Sequence, residues 1–228
     1  MSGRERPWAA VLFDFDGTLA DTVPLIVESF RHTLAETDGD LEEHEIRGWI
    51  GRILHDVLEE RHPGRGEELV RRYREHNLTH HDTLIRRVHG AAELLADLHA
   101  HGIPVAVVSS KSHVTVRRGM RVTGLPEVEH VVGLEDTTAH KPDPAPLLEG
   151  ARRLAVDPAA SVYVGDALVD VLAARAAGMG SVAVTWGAGT RDVLQRADHV
   201  VDDVAQLRDV LLPGAPRGRR AGGPSPTT

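Results

Sequence analysis

Short apolar runs alternate with amphipathic segments along most of the chain. A short apolar run bounded by charge or glycine indicates a strand buried on both faces, whereas apolar positions three and four residues apart indicate a helix. Strands are predicted at residues 9–13, 105–108, 130–132, 161–164 and 182–184. Helices are predicted at residues 91–101, 114–123, 145–154 and 167–177, with two weaker elements near 193 and at 204–212. This alternation predicts an α/β fold with a doubly wound, mainly parallel sheet.

A long helical stretch interrupts this alternation after the first strand. Helical spacing recurs at residues 23–34, 41–50, 53–60 and 66–81, and Asp21 or Thr22 is placed to cap the first of these helices. We therefore expect an all-helical domain at residues 20–87, inserted into an α/β core made of residues 1–19 and 88–212. Residues 213–228 contain almost no apolar side chains and are predicted to form a disordered tail.

The composition narrows the possible classes of function. A net charge of -8 argues against a general binder of nucleic acid or of membrane surfaces. The chain has no cysteine, which excludes disulfides, thiolate catalysis and thiolate metal sites. Without an apolar run long enough for a bilayer or a signal-peptide core, we expect a cytoplasmic protein. The sequence does not distinguish between a monomer and a homodimer.

Polar side chains follow several of the predicted strands. They are Asp14, Asp16, Ser109, Asp166 and Asp170, with Lys141 in a loop. Open α/β sheets bind ligands beyond the carboxyl ends of their strands, which is where these groups fall. The set suits phosphoryl transfer to a carboxylate, a reaction that needs positive charge because an anion attacks an anion. A divalent metal and the Lys141 ammonium would supply that charge, and an oxygen-only ligand set favours Mg²⁺.

Four motifs resemble those of the haloacid dehalogenase superfamily, over roughly residues 10–212. They are DFDGT at 14–18, the strand end at Ser109, Lys141 in KPDP, and GDALVD at 165–170. The resemblance implies that Asp14 is the nucleophile and that Asp16 protonates the leaving oxygen and then activates water. It also implies that Ser109 hydrogen-bonds the phosphate and that Lys141 neutralises the nucleophile and the transferring group.

The same resemblance implies a magnesium site and a substrate site. The metal would be held by Asp14, the backbone carbonyl of Asp16 and Asp166, with Asp170 as a ligand or a supporting group. Gly17, Thr18 and Ser110 would lie beside the substrate, and Thr18 would support Asp16.

The helical insert lies where this superfamily places a mobile cap. A cap that closes over the strand ends excludes water and adds contacts to the substrate. Arg52, which follows Gly51 at a break between helices, is the cap cation that we expect to contact an anionic substrate. Four histidines of the insert could be considered as a zinc site, but solvation or hydrogen bonding on helix faces is the favoured interpretation. They are His55, His76, His80 and His81.

The resemblance also separates neighbouring reactions. Dehalogenating members lack the second acid, and phosphonate-cleaving members need a cap lysine, which is missing because Lys111 and Lys141 are the only lysines. Residues 73–84 resemble the bacterial inorganic pyrophosphatase branch, which is close to the phosphoglycolate phosphatases. Two positions depart from that branch: Arg52 replaces a proline, and Ser109-Ser110 replaces a threonine-led pair.

The predicted function is therefore Mg²⁺-dependent hydrolysis of a small phosphorylated metabolite, with inorganic pyrophosphate as the first candidate. Phosphoglycolate and sugar or nucleotide monophosphates are alternatives. A phospho-accepting receiver and an inactive binding module are the remaining hypotheses from other classes of protein.

Overall fold

Eight strands form two sheets in the computed structural model, which describes residues 8–214. The strands are β1 (Ala10–Phe13), β2 (Ala20–Asp21), β3 (Arg86–Arg87), β4 (Val105–Val108), β5 (His130–Val132), β6 (Ser161–Gly165), β7 (Gly180–Val184) and β8 (His199–Val201). Six of them make one sheet in the order β5-β4-β1-β6-β7-β8, and all its neighbours run parallel. The predicted parallel α/β sheet is confirmed.

Helices cover both faces of the six-stranded sheet. The helices are α1 (Val23–Leu34), α2 (Glu43–Arg47), α3 (Leu54–Arg61), α4 (Gly66–Leu84), α5 (Ala91–Ala100), α6 (His113–Thr123), α7 (Ala145–Leu154), α8 (Leu168–Ala176), α9 (Arg191–Leu194) and α10 (Val204–Leu211). Side chains alternate between the faces along each strand. Val11 and Phe13 of β1 belong to the same apolar cluster as residues of α5, α6 and α10, whereas Leu12 clusters with residues of α7 and α8. The doubly wound arrangement follows from this alternation.

Helices α1–α4 form a helical segment with an apolar cluster of its own. Phe30, Ile46, Leu58 and Leu69 belong to it, and Ala188 is the only buried contributor from outside the segment among residues 8–214. The segment starts and ends at the antiparallel pair β2–β3, in which Ala20 lies opposite Arg87. These two-residue strands were not predicted, because so short an element shows no periodicity. The division of the chain into two domains at residues 20 and 87 stays a proposal.

Two other elements differ from the predictions. The helix expected at residues 41–50 is shorter in the structure and forms only α2. From Gly48 onward tight turns replace the helix, because the N–H groups of Trp49 and Ile50 donate to carbonyls three residues earlier. Strand β8 was not predicted, although its three residues repeat the His-Val-Val sequence of the predicted β5. Of the predicted tail, residues 215–228 lie outside the described residues. No helix between residues 8 and 214 combines the length and apolar character needed to cross a bilayer.

Candidate active site

Three adjacent strands bring their polar ends together at one edge of the sheet. Asp14 follows β1, which lies between β4 and β6. Its backbone N–H donates to the carbonyl of Val164 at 2.8 Å. Ser109 follows β4, and Asp166 follows β6. Because all three strands are parallel, their carboxyl ends meet at the same edge, as expected for a ligand site in an open α/β sheet.

Lys141 lies in the centre of this edge, with a side chain only 2% exposed. Its Nζ lies 3.1 Å from Asp14 Oδ1 and donates hydrogen bonds to Asp170 Oδ1 at 2.7 Å and to the hydroxyl of Tyr163 at 3.1 Å. Burial alone would lower the pKa of Lys141, but Asp14 and Asp170 raise that pKa well above its ordinary value. The ammonium is therefore charged and directed at Asp14.

Tyr163 is a positioning residue that the sequence analysis missed. Its hydroxyl accepts from Lys141 and donates to the carbonyl of Val108 at 3.0 Å, so it links the lysine to strand β4. The only signal in the sequence is a polar-tipped aromatic residue within an otherwise apolar strand, since a buried tyrosine hydroxyl normally has a partner.

Three carboxylates gather beside this lysine. Asp14, Asp166 and Asp170 are buried, and each offers an oxygen within 4.8 Å of the others. Burial raises the pKa of Asp14 to about 7; Lys141 opposes this rise, and the charges of Asp170 and Asp16 add to it. The pKa of Asp166 is raised well above its ordinary value by burial and then by the charges of Asp170 and Asp14. Asp14 Oδ1 has no well-oriented hydrogen bond although it is buried. Three acids against one ammonium fit a divalent cation, so this cluster could hold a metal ion.

Backbone amides and a hydroxyl fix two of these acids. Asp166 Oδ2 accepts from the N–H of Ala188 at 2.6 Å, and Asp166 Oδ1 accepts from Thr18 Oγ1 at 3.3 Å. Asp170 Oδ2 accepts from the N–H groups of Asp166 and Ala167 at 3.1 and 3.0 Å. The Thr18 hydroxyl thus supports Asp166, and the expectation that it would support Asp16 is wrong.

The side chain of Asp16 stands apart from the three-carboxylate cluster. Its Oδ1 accepts a 2.6 Å hydrogen bond from Thr22 Oγ1 and lies 3.4 Å from Lys111 Nζ. Thr22 occupies the N-cap position of α1 but makes no side-chain capping bond, and its hydroxyl is directed at Asp16. Asp14 and Asp16 both line one cavity, but their carboxylates have different partners.

The other predicted site residues have identifiable local contacts. Ser109 is buried, and its Oγ accepts from the N–H of Lys111 at 3.2 Å. Ser110 Oγ donates to the carbonyl of Gly51 at 3.0 Å. Gly17 has φ +68°, and a Cβ there would lie 2.2 Å from Asp166 Oδ2, so this position requires glycine for both conformation and space.

A cavity of about 480 Å³ separates the strand ends from the helical segment. Asp14 and Asp16 line one side. Arg52 lines the other, and its Nη2 lies 2.7 Å from both carboxylate oxygens of Glu60. Apolar side chains complete much of the wall: Ile26, Phe30, Trp49, Ile50, Leu54, Leu78 and Val114. The cavity connects Asp14 with the residue expected to contact the substrate.

The profile of the family "Haloacid dehalogenase-like hydrolase" matches residues 11–184. The chain belongs to the haloacid dehalogenase-like hydrolases. Among similar proteins, the pyrophosphatase PpaX of Halalkalibacterium halodurans is 34% identical over 206 residues, covering 88% of this chain and 95% of the relative. The pyrophosphatase PpaX of Bacillus mycoides is 33% identical, with coverages of 88% and 95%.

Solved structures of haloacid dehalogenase-like hydrolases share the fold. A protein of Bacteroides fragilis described as belonging to this class has a TM-score of 0.81 at 28% identity, covering 88% of this chain and 99% of its own. A predicted phosphoglycolate phosphatase of Haemophilus somnus has a TM-score of 0.80 at 24% identity, with coverages of 91% and 99%. The protein is therefore a haloacid dehalogenase-like hydrolase, which confirms the predicted class of enzyme.

Proposed function

We propose that this hydrolase transfers a phosphoryl group to Asp14 and then to water, in a Mg²⁺-dependent reaction. The observation that carries the proposal is the contact of 3.1 Å between Lys141 Nζ and Asp14 Oδ1 within a buried group of three carboxylates. The Lys141 ammonium opposes the rise in the pKa of Asp14 and lowers the charge repulsion that the attack of Asp14 on phosphate would meet.

The residues present fit a magnesium site. Asp14 and Asp166, together with the backbone carbonyl of Asp16, would hold the ion, and Asp170 lies beside them as a further ligand or a supporting group. When bound, Mg²⁺ supplies positive charge to the attacking carboxylate and to the phosphoryl oxygens. Asp170 also holds Lys141 in place at 2.7 Å, so it orients the second source of positive charge.

The chemical step divides between the two acids of the first motif. Asp14 forms a bond to phosphorus while the bond from phosphorus to the leaving oxygen breaks, and Asp16 gives its proton to that oxygen. Asp16 then takes a proton from water, which attacks phosphorus and releases orthophosphate and free Asp14. Ser109 and Lys141 hold the phosphoryl oxygens during both steps.

Inorganic pyrophosphate is the first candidate substrate. Relatives named pyrophosphatase are 33–35% identical and match nearly their whole length, and cations from both sides line the cavity. Phosphoglycolate and sugar or nucleotide monophosphates are the alternatives, since the cavity is larger than pyrophosphate requires. We further propose that the enzyme works in the cytoplasm, on a small phosphorylated molecule rather than on nucleic acid or at a membrane.

The test is phosphate release by the purified full-length protein with Mg²⁺, on pyrophosphate, phosphoglycolate, sugar phosphates and nucleotides. Asp14→Asn should abolish turnover, whereas Asp40→Asn, at an exposed position in the helical segment, should not change it. Beryllium fluoride with Mg²⁺ should raise the Tm of the wild type but not that of Asp14→Asn. Absence of release from every substrate would refute the proposed function.

A further inference from the structure

Four cationic or ionisable basic side chains line the cavity, and three of them are already paired. Arg52 contacts Glu60, Lys111 contacts Asp16, and His55 Nδ1 lies 3.5 Å from Asp56 Oδ1. The fourth, Arg74 on α4, also lines the cavity, and no ion pair or hydrogen bond of its guanidinium is found among residues 8–214. Arg74 is therefore the lining cation whose charge is available to a ligand.

The turn of α4 that carries Arg74 is held rigidly against α1. Tyr73 is buried and makes an edge contact with Phe30, with ring centroids 4.9 Å apart. Asn77 is also buried, and its Nδ2 donates to Ser29 Oγ at 3.1 Å. Both Tyr73 and Asn77 line the same cavity as Arg74. A packed helical turn thus places the exposed Arg74, which also lines the outer groove of α4, at the edge of the cavity.

This turn faces the catalytic side of the cavity. Tyr73, Arg74 and Asn77 line the cavity together with Asp14 and Asp16, whereas Lys141 does not line it. Asp16 is the acid proposed to protonate the leaving oxygen. The part of the substrate that departs with that oxygen is therefore directed toward α4 rather than toward Lys141.

We propose that Arg74 binds an anionic group on the leaving side of the substrate. The substrate class is then a phosphate joined to a second compact anion, either another phosphate or a carboxylate. The inference rests on the proposed function, because it assumes that Asp14 accepts the transferred phosphoryl group. Lys141 and the metal site compensate the charge of that phosphoryl group, and the second anion needs a separate cation. The planar guanidinium can bind phosphate or carboxylate through two parallel hydrogen bonds.

The assignment replaces the expectation that Arg52 would be the main cap cation. To bind a substrate anion, Arg52 would have to give up or share its contacts of 2.7 Å with both oxygens of Glu60. Arg74 makes no ion pair with a carboxylate among residues 8–214, although Glu67 and Glu75 line the outer groove of α4 with it.

The experiment compares steady-state kinetics of Arg74→Gln and Arg71→Gln on two substrates, with full-length protein and Mg²⁺. Arg71 lies three residues earlier on α4 and is exposed, and it lines only the outer groove of the helix, which makes it a matched control. The substrates are pyrophosphate, which carries a second anion, and p-nitrophenyl phosphate, whose leaving group carries none. Arg74→Lys tests whether a point charge restores part of the effect.

We expect Arg74→Gln to lower the ratio of kcat/KM for pyrophosphate to kcat/KM for p-nitrophenyl phosphate by about tenfold or more, mainly through KM, as for loss of a charge-assisted hydrogen bond. Arg74→Lys should recover part of this ratio, and Arg71→Gln should leave it unchanged. An equal loss on both substrates, or no change in the ratio, would overturn the assignment while leaving phosphohydrolase activity intact. If the wild type hydrolyses neither compound nor any other phosphate tested, the proposed function fails, and this inference fails with it.

Discussion

Ser110 Oγ donates a hydrogen bond of 3.0 Å to the backbone carbonyl of Gly51, joining the loop after β4 to the loop between α2 and α3. Ser110 lines the cavity and is expected to contact the substrate, and its hydroxyl is directed at the loop that carries Arg52. Gly51 has φ +89°, and a Cβ there would lie 2.8 Å from Val169 Cγ2, so the two parts of the molecule approach closely at this point. The bond connects the strand-end loops to the helical segment over the cavity.

Removing this bond should loosen the helical segment. We expect Ser110→Ala to lower the free energy that holds the helical segment against the strand-end loops by about 1 kcal/mol, because one hydrogen bond is lost. Amide hydrogen exchange of residues 49–54 should then be about fivefold faster. Thr79→Ala is the control, since the Thr79 hydroxyl bonds only to a carbonyl of its own helix. Equal exchange rates in wild type and Ser110→Ala would show that the bond does not hold the segment.

Tyr163→Phe should impair turnover more than substrate binding. The change removes the hydroxyl that lies between Lys141 and the Val108 carbonyl, so the ammonium loses one of its orienting partners. We expect kcat to fall by about threefold to tenfold with little change in KM, and unfolding free energy to fall by about 1 kcal/mol.

The control for this variant is Ser161→Ala, on the same strand. The Ser161 hydroxyl donates to the Asp157 carbonyl at the opposite end of β6, so its removal should cost comparable stability and leave kcat unchanged. If both variants lowered kcat equally, Tyr163 would have a structural role only.

Gly17→Ala separates steric contact from backbone strain. Gly17 and Gly39 both have φ +68°, but a Cβ at Gly39 meets nothing within 4 Å, whereas one at Gly17 lies 2.2 Å from Asp166 Oδ2. Each variant should lose about 1 kcal/mol of stability from the left-handed backbone. Only Gly17→Ala should displace the Asp166 carboxylate, and its kcat should fall about a hundredfold. Thermal unfolding and phosphate release measure the two effects, and similar activity in both variants would contradict the steric argument.

Freeing Arg52 should strengthen binding of an anionic substrate. Glu60 holds the Arg52 guanidinium by both carboxylate oxygens, so Glu60→Gln should release a second cation to the cavity. We expect KM for pyrophosphate to fall by about twofold to fivefold, the modest effect typical of an exposed ion pair. Glu68→Gln, which breaks the exposed pair with Arg65, is the control and should leave KM unchanged. An increase of KM in Glu60→Gln would show that the pair itself positions Arg52 for the substrate.

The stability of the helical segment should depend on pH through His76. Its ring stacks on His32 and tilts against His80, each with centroids 4.4 Å apart, and burial followed by these two histidines lowers the pKa of His76 from its ordinary value of 6.5. Because the folded-state pKa is the lower one, the stabilisation is fully present above the unfolded pKa and is lost as pH falls through the folded pKa.

The measurement is Tm at a series of pH values between about 7.5 and about 5.5. The Tm of the wild type should fall further over this pH interval than the Tm of His76→Gln. His89→Gln, at an exposed position outside the helical segment, should lose as much as the wild type. Identical pH profiles for wild type and His76→Gln would exclude this source of pH sensitivity.

The sequence predicted the sheet and its polar edge because both depend on local pattern. Each central strand is a short apolar run, and Asp14, Ser109 and Asp166 come immediately after one, so parallel strands bring them together whatever the details of packing. The strands β2 and β3 were missed because two residues carry no readable period, and β8 was missed although it has the same His-Val-Val sequence as the predicted β5.

Side-chain partners were harder to predict because they depend on tertiary packing. Thr18 meets Asp166, which lies 148 positions away along the chain, and nothing local distinguishes that contact from one with Asp16. Likewise, Arg52 pairs with Glu60, eight positions away, and that pairing depends on the fold around α3. Residue type and spacing therefore indicated the chemistry but not which cation is free.

The pairing of β2 with β3 has a consequence for how such a protein can change over time. Ala20 lies opposite Arg87 and Asp21 opposite Arg86, so the two backbones are about 5 Å apart where the inserted helices leave and rejoin the strands. The chain therefore leaves the six-stranded sheet and returns to it through a single two-stranded pair. Recombination at this pair could replace the helices by a segment of another size and shape whose two ends lie equally close together. The six parallel strands would not have to move.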